Sequence, residues 1–170
     1  MKILLASDTH GSSAFIKAIE HEQPDLILHA GDSQLPSCNF KDLAMLIVNG
    51  NCDYGLGYQD EIFYPINQDM IMLTHGHNYF INTDLSQLAL AAKNNGCNIA
   101  IYGHSHIANV EYVNDILCIN PGSYEQSRSQ LPNSYMIYNL DTNTIDLKEA
   151  QTFKLIKQYQ IDKDRHAISR

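Results

Sequence analysis

Again and again along this chain, an apolar run of strand length stops at an Asp, Asn or His close to a glycine. MKILLAS (1–7) runs into Asp8, His10 and Gly11, and DLILHA (25–30) into Gly31 and Asp32. The run at 45–49 meets Gly50 and Asn51, the one ending at Leu73 meets His75 and Gly76, and CNIAIY (97–102) meets Gly103, His104 and His106. Short apolar runs bounded by polar residues predict strands buried on both faces. In an α/β sheet the carboxyl ends of such strands form the crevice where ligands bind, so residues far apart in sequence can converge there.

The intervening segments complete an α/β pattern. Ser12 or Ser13 is placed to cap a helix carrying Phe15, Ile16 and Ile19, which Pro24 stops. Residues 40–46 read as a second short helix, giving βαβαβ with parallel strands in the first half. In the second half, Asn67–Asp69 suit a hairpin turn between two strands, and Thr83 or Asp84 caps a helix running to about Asn95 before Gly96. Two more hairpins follow, across Asn114–Asp115 and Asp141–Asn143. The expected fold is a layered α/β sandwich occupying residues 1–151. Residues 152–170 read as an amphipathic C-terminal extension, either docked as a helix or partly free.

Charge separates the same two pieces. The 170-residue chain has a formal charge of −8, with six basic and seventeen acidic side chains in 1–151 against five and two in 152–170. Such an acidic body argues against stable binding of duplex nucleic acid. The N-terminal run lacks the length and cleavage site of a signal peptide, no stretch is apolar enough to span a bilayer, and Cys38, Cys52, Cys97 and Cys118 show no CxxC spacing. A cytoplasmic protein without a membrane association is expected, with self-association left open. The acidity also suits a chain that holds cations.

Taken singly, each polar residue at a strand end has an ordinary explanation in a turn or a core. Together, imidazoles, carboxylates and the amide oxygen of Asn51 suit a transition-metal site for zinc, manganese, iron or nickel. The segments SDTHG (7–11), HAGD (29–32), NGNCD (49–53), THGH (74–77), YGHSH (102–106) and NPGS (120–123) resemble the motifs of calcineurin-like metallophosphoesterases. The likeness is to their small bacterial and archaeal phosphodiesterase branch and spans residues 3 to about 128. It implies a four-layer αββα sandwich of two mixed β-sheets flanked by helices. It also implies two divalent metal ions, manganese first and zinc, nickel or iron as alternatives. Asp8, His10 and His106 would hold the first ion, Asn51, His75 and His104 the second, and Asp32 would bridge them.

The implied activity is hydrolysis of a small phosphodiester or nucleotide-like substrate by a hydroxide between the metals. A nucleotide pyrophosphatase using the same site is an alternative. So is a non-catalytic scaffold for protein partners, since a retromer subunit resembling this fold has lost part of the ligand set. Cys52 stands where larger phosphoprotein phosphatases place a histidine near the leaving group. A thiol is a poorer proton donor there, which favours diesters with good leaving groups, although Cys52 also reads as a small hydrophobe beside the site. His77, two residues from His75, would share its side of a strand, as a proton donor or a mere neighbour. Arg128, following NPGS, reads either as a contact to the substrate phosphate or as an exposed loop residue. Asp53 either orients a neighbour or closes its turn. His29 and His21 carry no expected chemistry, and His166 lies in the tail.

Overall fold

A computed structural model describes residues 1–162. In chain order its elements are β1 (Lys2–Ala6), α1 (Phe15–Glu22), β2 (Leu26–His29), β3 (Met45–Ile47), β4 (Glu61–Ile66), β5 (Asp69–Thr74), α2 (Ser86–Asn94), β6 (Ile99–Ile101), β7 (Asn109–Val113), β8 (Ile116–Asn120), β9 (Ser134–Asn139), β10 (Thr144–Glu149) and β11 (Leu155–Gln160). They build two mixed sheets, ordered β11-β10-β9-β1-β2-β3 and β4-β5-β6-β8-β7. The period of two along each strand explains the layering. Ile3 and Leu5 of β1 face inward and join Leu28, Leu73, Ile101 and Ile119 in the core between the sheets. Leu4 and Ala6 face outward, where Phe15, Ala18 and Ile19 of α1 cover them. On the opposite flank Leu88, Ala89 and Ala92 of α2 cover Met72, Ala100 and Cys118. This is the αββα sandwich that the sequence implies.

Local signals work as expected in some places and are overridden in others. Gln23 ends α1 in the left-handed conformation (φ 48°) ahead of Pro24. Neither Thr83 nor Asp84 is the N-cap of α2; that position is Leu85, and Asp84 accepts the Ser86 amide (2.7 Å) just before it. Neither Ser12 nor Ser13 is the N-cap of α1; that position is Ala14, and Ser12 Oγ accepts the Ala14 amide just before it. The expected helix over 40–46 does not form. A 3₁₀ turn at Ser37–Asn39 replaces it, and the Phe40 ring packs 5.6 Å from that of Phe15. Phe40, with Leu35 and Leu43, holds this crossover on the face that α1 already covers.

The extension is also corrected. Its described part forms strand β11 at the edge of the larger sheet, antiparallel to β10. A register shift at Leu147/Lys148 pairs those residues with Lys157 and Leu155, which leaves Ile156 as an extra residue. Ile156 and Tyr159 both pack on the central core as a result. Their spacing of three imitates a helix in sequence, whereas a bulged strand produces it here. Residues 163–170, with His166, lie outside the described residues.

Candidate metal centre

Site residues follow the carboxyl ends of β1, β2, β3, β5 and β6, and within each sheet these strands run parallel. Their loops therefore emerge on one side, where the two sheets meet. Backbone bonds tie them together: the Asp8 amide to Gly31 O (3.0 Å), the His10 amide to Asp32 O (3.0 Å) and the Gly103 amide to His75 O (3.1 Å). Asp8, His10, Asp32, His104 and His106 all adopt positive φ, from 44° to 65°. Non-glycine residues rarely do so, and such strain gathers where function fixes side-chain direction.

The loops pass so closely that glycine is required at two points. A Cβ at Gly103 would stand 1.9 Å from Ser7 Oγ, and one at Gly50 would stand 2.1 Å from Asp32 Oδ1. Both glycines therefore let the chain approach the carboxylates of the site.

Two imidazoles define the centre. His75 is fully buried and its Nδ1 lies 2.7 Å from Ala30 O; His106 Nδ1 lies 2.7 Å from Gln126 O. A carbonyl accepts only, so each Nδ1 carries the hydrogen and each neutral ring presents a lone pair at Nε2. Those lone pairs face oxygens. His75 Nε2 is 3.4 Å from Asp32 Oδ2 and 3.1 Å from Asn51 Oδ1, and His106 Nε2 is 3.1 Å from Asp8 Oδ1. His10 Nε2 is 3.4 Å from His106 Nε2, and Asp8 Oδ1 is buried without an aligned hydrogen bond. Acceptors facing acceptors at this range need a cation between them, either a proton or a metal.

The electrostatics agree. Burial would raise Asp8, but the adjoining His106 and His75 imidazoles and the Ser7 hydroxyl (2.5 Å) outweigh it and hold its pKa below the usual carboxylate range. Asp32 is likewise lowered, its burial outweighed by His75 and the Cys52 amide (2.7 Å). In His75 and His106, burial is outweighed by the adjoining Asp32 and Asp8, and both are raised. Ligand atoms within 4.8 Å of one another form three overlapping sets: Asp8, His10 and His106; Asp8, Asp32 and His75; His10, Asp32 and Cys52. Asp32 belongs to two of these sets, one with His75 and one with His10. The donor set fits divalent cations.

The remaining expected residues sit around this centre. The His104 ring lies 5.2 Å from that of His75, half-buried, and Asn51 is exposed at the rim. His77 does not share a strand with His75, because β5 ends at Thr74 and Gly76 (φ 97°) turns the chain into a 3₁₀ turn that begins at His77. Its ring nevertheless lies 5.5 Å from His75 and 6.2 Å from His104. Arg128 is exposed, and its amide donates to His106 O (3.1 Å). Burial and then the Asp32 carboxylate push the Cys52 thiol up to about 11, so it stays protonated at neutral pH. Cys52 is half-buried beside the site.

Asp53 closes its own turn, accepting the Gly50 (2.8 Å) and Gln34 (2.6 Å) amides. Sequence reasoning missed three supporting residues. Ser7 donates to Asp8, Ser123 Oγ donates to Asp8 O (2.9 Å), and Asn120 Nδ2 donates to Gly103 O (2.9 Å). Ser7 directly follows β1 and Asn120 is the last residue of β8, whereas Ser123 lies in the loop beyond it.

Comparison with known proteins gives this geometry its family. The model of the calcineurin-like phosphoesterase superfamily domain matches residues 1–143. The probable metallophosphoesterase YsnB of Bacillus subtilis is 33% identical over 151 residues, covering 87% of this chain and 89% of its own. A phosphodiesterase of Methanocaldococcus jannaschii is 33% identical over 144 residues, covering 72% and 83%. A crystal structure of a conserved protein from Streptococcus pneumoniae, described as a predicted phosphoesterase, superposes with a TM-score of 0.83 at 26% identity, covering 93% and 96%. Vacuolar protein sorting 29 of Cryptosporidium parvum shares the fold, with a TM-score of 0.76 at 21% identity over 94% and 98% of the two chains. With its donor cluster at the strand ends and a family model spanning most of its length, the chain belongs to the calcineurin-like phosphoesterase superfamily.

Proposed function

We propose that this chain is a binuclear metal-dependent phosphodiesterase. The observation that carries the reading is the pair of imidazoles, His75 and His106, each tied at Nδ1 to a carbonyl and aimed at a carboxylate by its lone pair. Asp8, His10 and His106 would hold one divalent cation, Asn51, His75 and His104 the other, and Asp32 would be shared. Manganese is the first candidate, with zinc, nickel or iron as alternatives. Bound there, two such cations supply Lewis-acid charge to the phosphoryl oxygens and acidify the attacking water.

The chain's own residues set the rest. The Ala30 and Gln126 carbonyls fix both ring orientations, and Ser7 with the His104 amide (3.2 Å) holds the second oxygen of Asp8. Protonation of the leaving oxygen is the weak point, because Cys52 gives up its proton only near pH 11. Diesters with acidic leaving groups therefore suit the site better than alkyl monoesters. His77 is near enough to supply a proton in place of Cys52, and Arg128 would meet the substrate from the rim.

The test is hydrolysis of bis(4-nitrophenyl) phosphate against 4-nitrophenyl phosphate, with Mn²⁺ and after chelation, together with metal counting by calorimetry. Two ions per chain and metal-dependent cleavage favouring the diester are expected, with Asp32→Asn losing more than about a hundredfold in activity while staying folded. Asp32→Asn as active as the parent, or activity that survives chelation, would refute the reading, and no turnover with any divalent ion would favour a scaffold.

A further inference from the structure

Beside the ligand cluster opens a cleft of about 480 Å³ whose walls include Asn51, His77, Tyr54, Gly55, Gly57 and Tyr58. Asn51 and His77 join it to the centre, so one ester arm of a phosphoryl group seated on the ligands would extend into it. None of its lining residues is Lys or Arg, and the Asp53 carboxylate that reaches it is already occupied by two backbone amides. A second phosphate would find no partner there.

The walls offer aromatic surface instead. Tyr58 is anchored by its hydroxyl to Leu35 O (2.6 Å), which makes its ring a fixed wall. Tyr54 is 88% exposed, so its ring face at the mouth of the site is open to a planar group. Gly55 and Gly57 flank the loop at φ 72° and 74°, and a Cβ at either would meet nothing within 4 Å. These glycines therefore serve the loop's shape, which presents Tyr54 outward, and not its packing.

We propose that this cleft is the subsite for an ester arm of the substrate and selects a flat, uncharged aromatic group stacked on Tyr54 against the Tyr58 wall. The inference rests on the phosphodiesterase reading and narrows its substrate class. Every base or aryl ring offers a π-face, so stacking gives preference for planarity before it gives preference for identity.

Single-arm probes test it: methylphosphonate, phenylphosphonate and thymidine 5′-monophosphate, titrated by calorimetry into the Mn²⁺-loaded protein. The two aromatic probes should bind about tenfold more tightly than methylphosphonate, and Tyr54→Ala should abolish that difference without changing metal content or the methylphosphonate affinity. Thymidine 5′-monophosphate ahead of phenylphosphonate identifies a nucleobase as the preferred group; equal affinities identify any aryl ring. Equal binding of all three probes, or a Tyr54→Ala variant that weakens all three alike, overturns this inference alone. Binding of none overturns both this and the phosphodiesterase reading.

Discussion

Gly50→Ala tests whether the close passage of two loops sets the position of the central carboxylate. The added Cβ would stand 2.1 Å from Asp32 Oδ1 and 2.3 Å from the Asp32 backbone nitrogen, whereas ordinary contact begins at 3.4 Å. The segments would have to separate by about 1.3 Å and 1.1 Å at those atoms. Because one of the atoms is backbone, rotating the carboxylate does not relieve the clash. Overpacking of this kind costs about 1–3 kcal/mol. The separation also strains the Cys52 amide bond to Asp32 (2.7 Å), and a hydrogen bond to a charged group is worth about 1.5–3 kcal/mol. A loss of order 4 kcal/mol corresponds to roughly 10 °C in Tm for a chain of this size.

Gly96→Ala is the control, since Gly96 has φ 71° but open space around its Cβ position. It should cost only the left-handed penalty of about 1–2 kcal/mol. Thermal unfolding in chelator, followed by Mn²⁺ titration, separates the two. Gly50→Ala should melt lower than Gly96→Ala and bind metal at least about tenfold more weakly, as displaced ligand support does. Equal melting temperatures with parental metal affinity in Gly50→Ala would refute the argument.

Two further outcomes follow from other parts of the molecule. Burial holds the His29 imidazole, which meets Thr9 Oγ1 at 3.1 Å, near pKa 4, against about 6.5 when unfolded. Its stabilising effect is complete above pH 6.5 and fades as pH falls toward 4, an apo-protein loss of about 3 kcal/mol that His29→Gln should flatten in urea titrations; an unchanged slope would contradict it. Ending the chain at residue 151 removes β11 and with it the core contacts of Ile156, Tyr159 and buried Ile161, so stability by chemical denaturation should fall by at least about 3 kcal/mol; a truncated chain as stable as the parent would count against β11 as part of the fold.

Local chemistry made much of this legible before any coordinates. Short apolar runs such as MKILLA read as buried strands, and the Asp, Asn and His residues that follow them gather at the carboxyl edge of a sheet. The order of those motifs carried the family and the layered fold. Other elements were opaque because their cause is not local. The strand over 155–160 depends on the free edge of β10 and on a bulge that turns a period of two into a spacing of three. His77 comes close to His75 through a turn at Gly76 and not through strand periodicity.

The sequence by itself determined which residues could bind cations, since donor type is a property of each side chain. Only the tertiary structure decided how they are aimed. That Ala30 O and Gln126 O take the Nδ1 hydrogens of His75 and His106, that Gly50 clears room for Asp32, and that Tyr54 stands bare at the mouth of a cleft without cationic lining are contacts between segments 15 or more residues apart or shapes of a folded loop. A linear pattern cannot encode them, because orientation at a site is set by the backbone that packs around it.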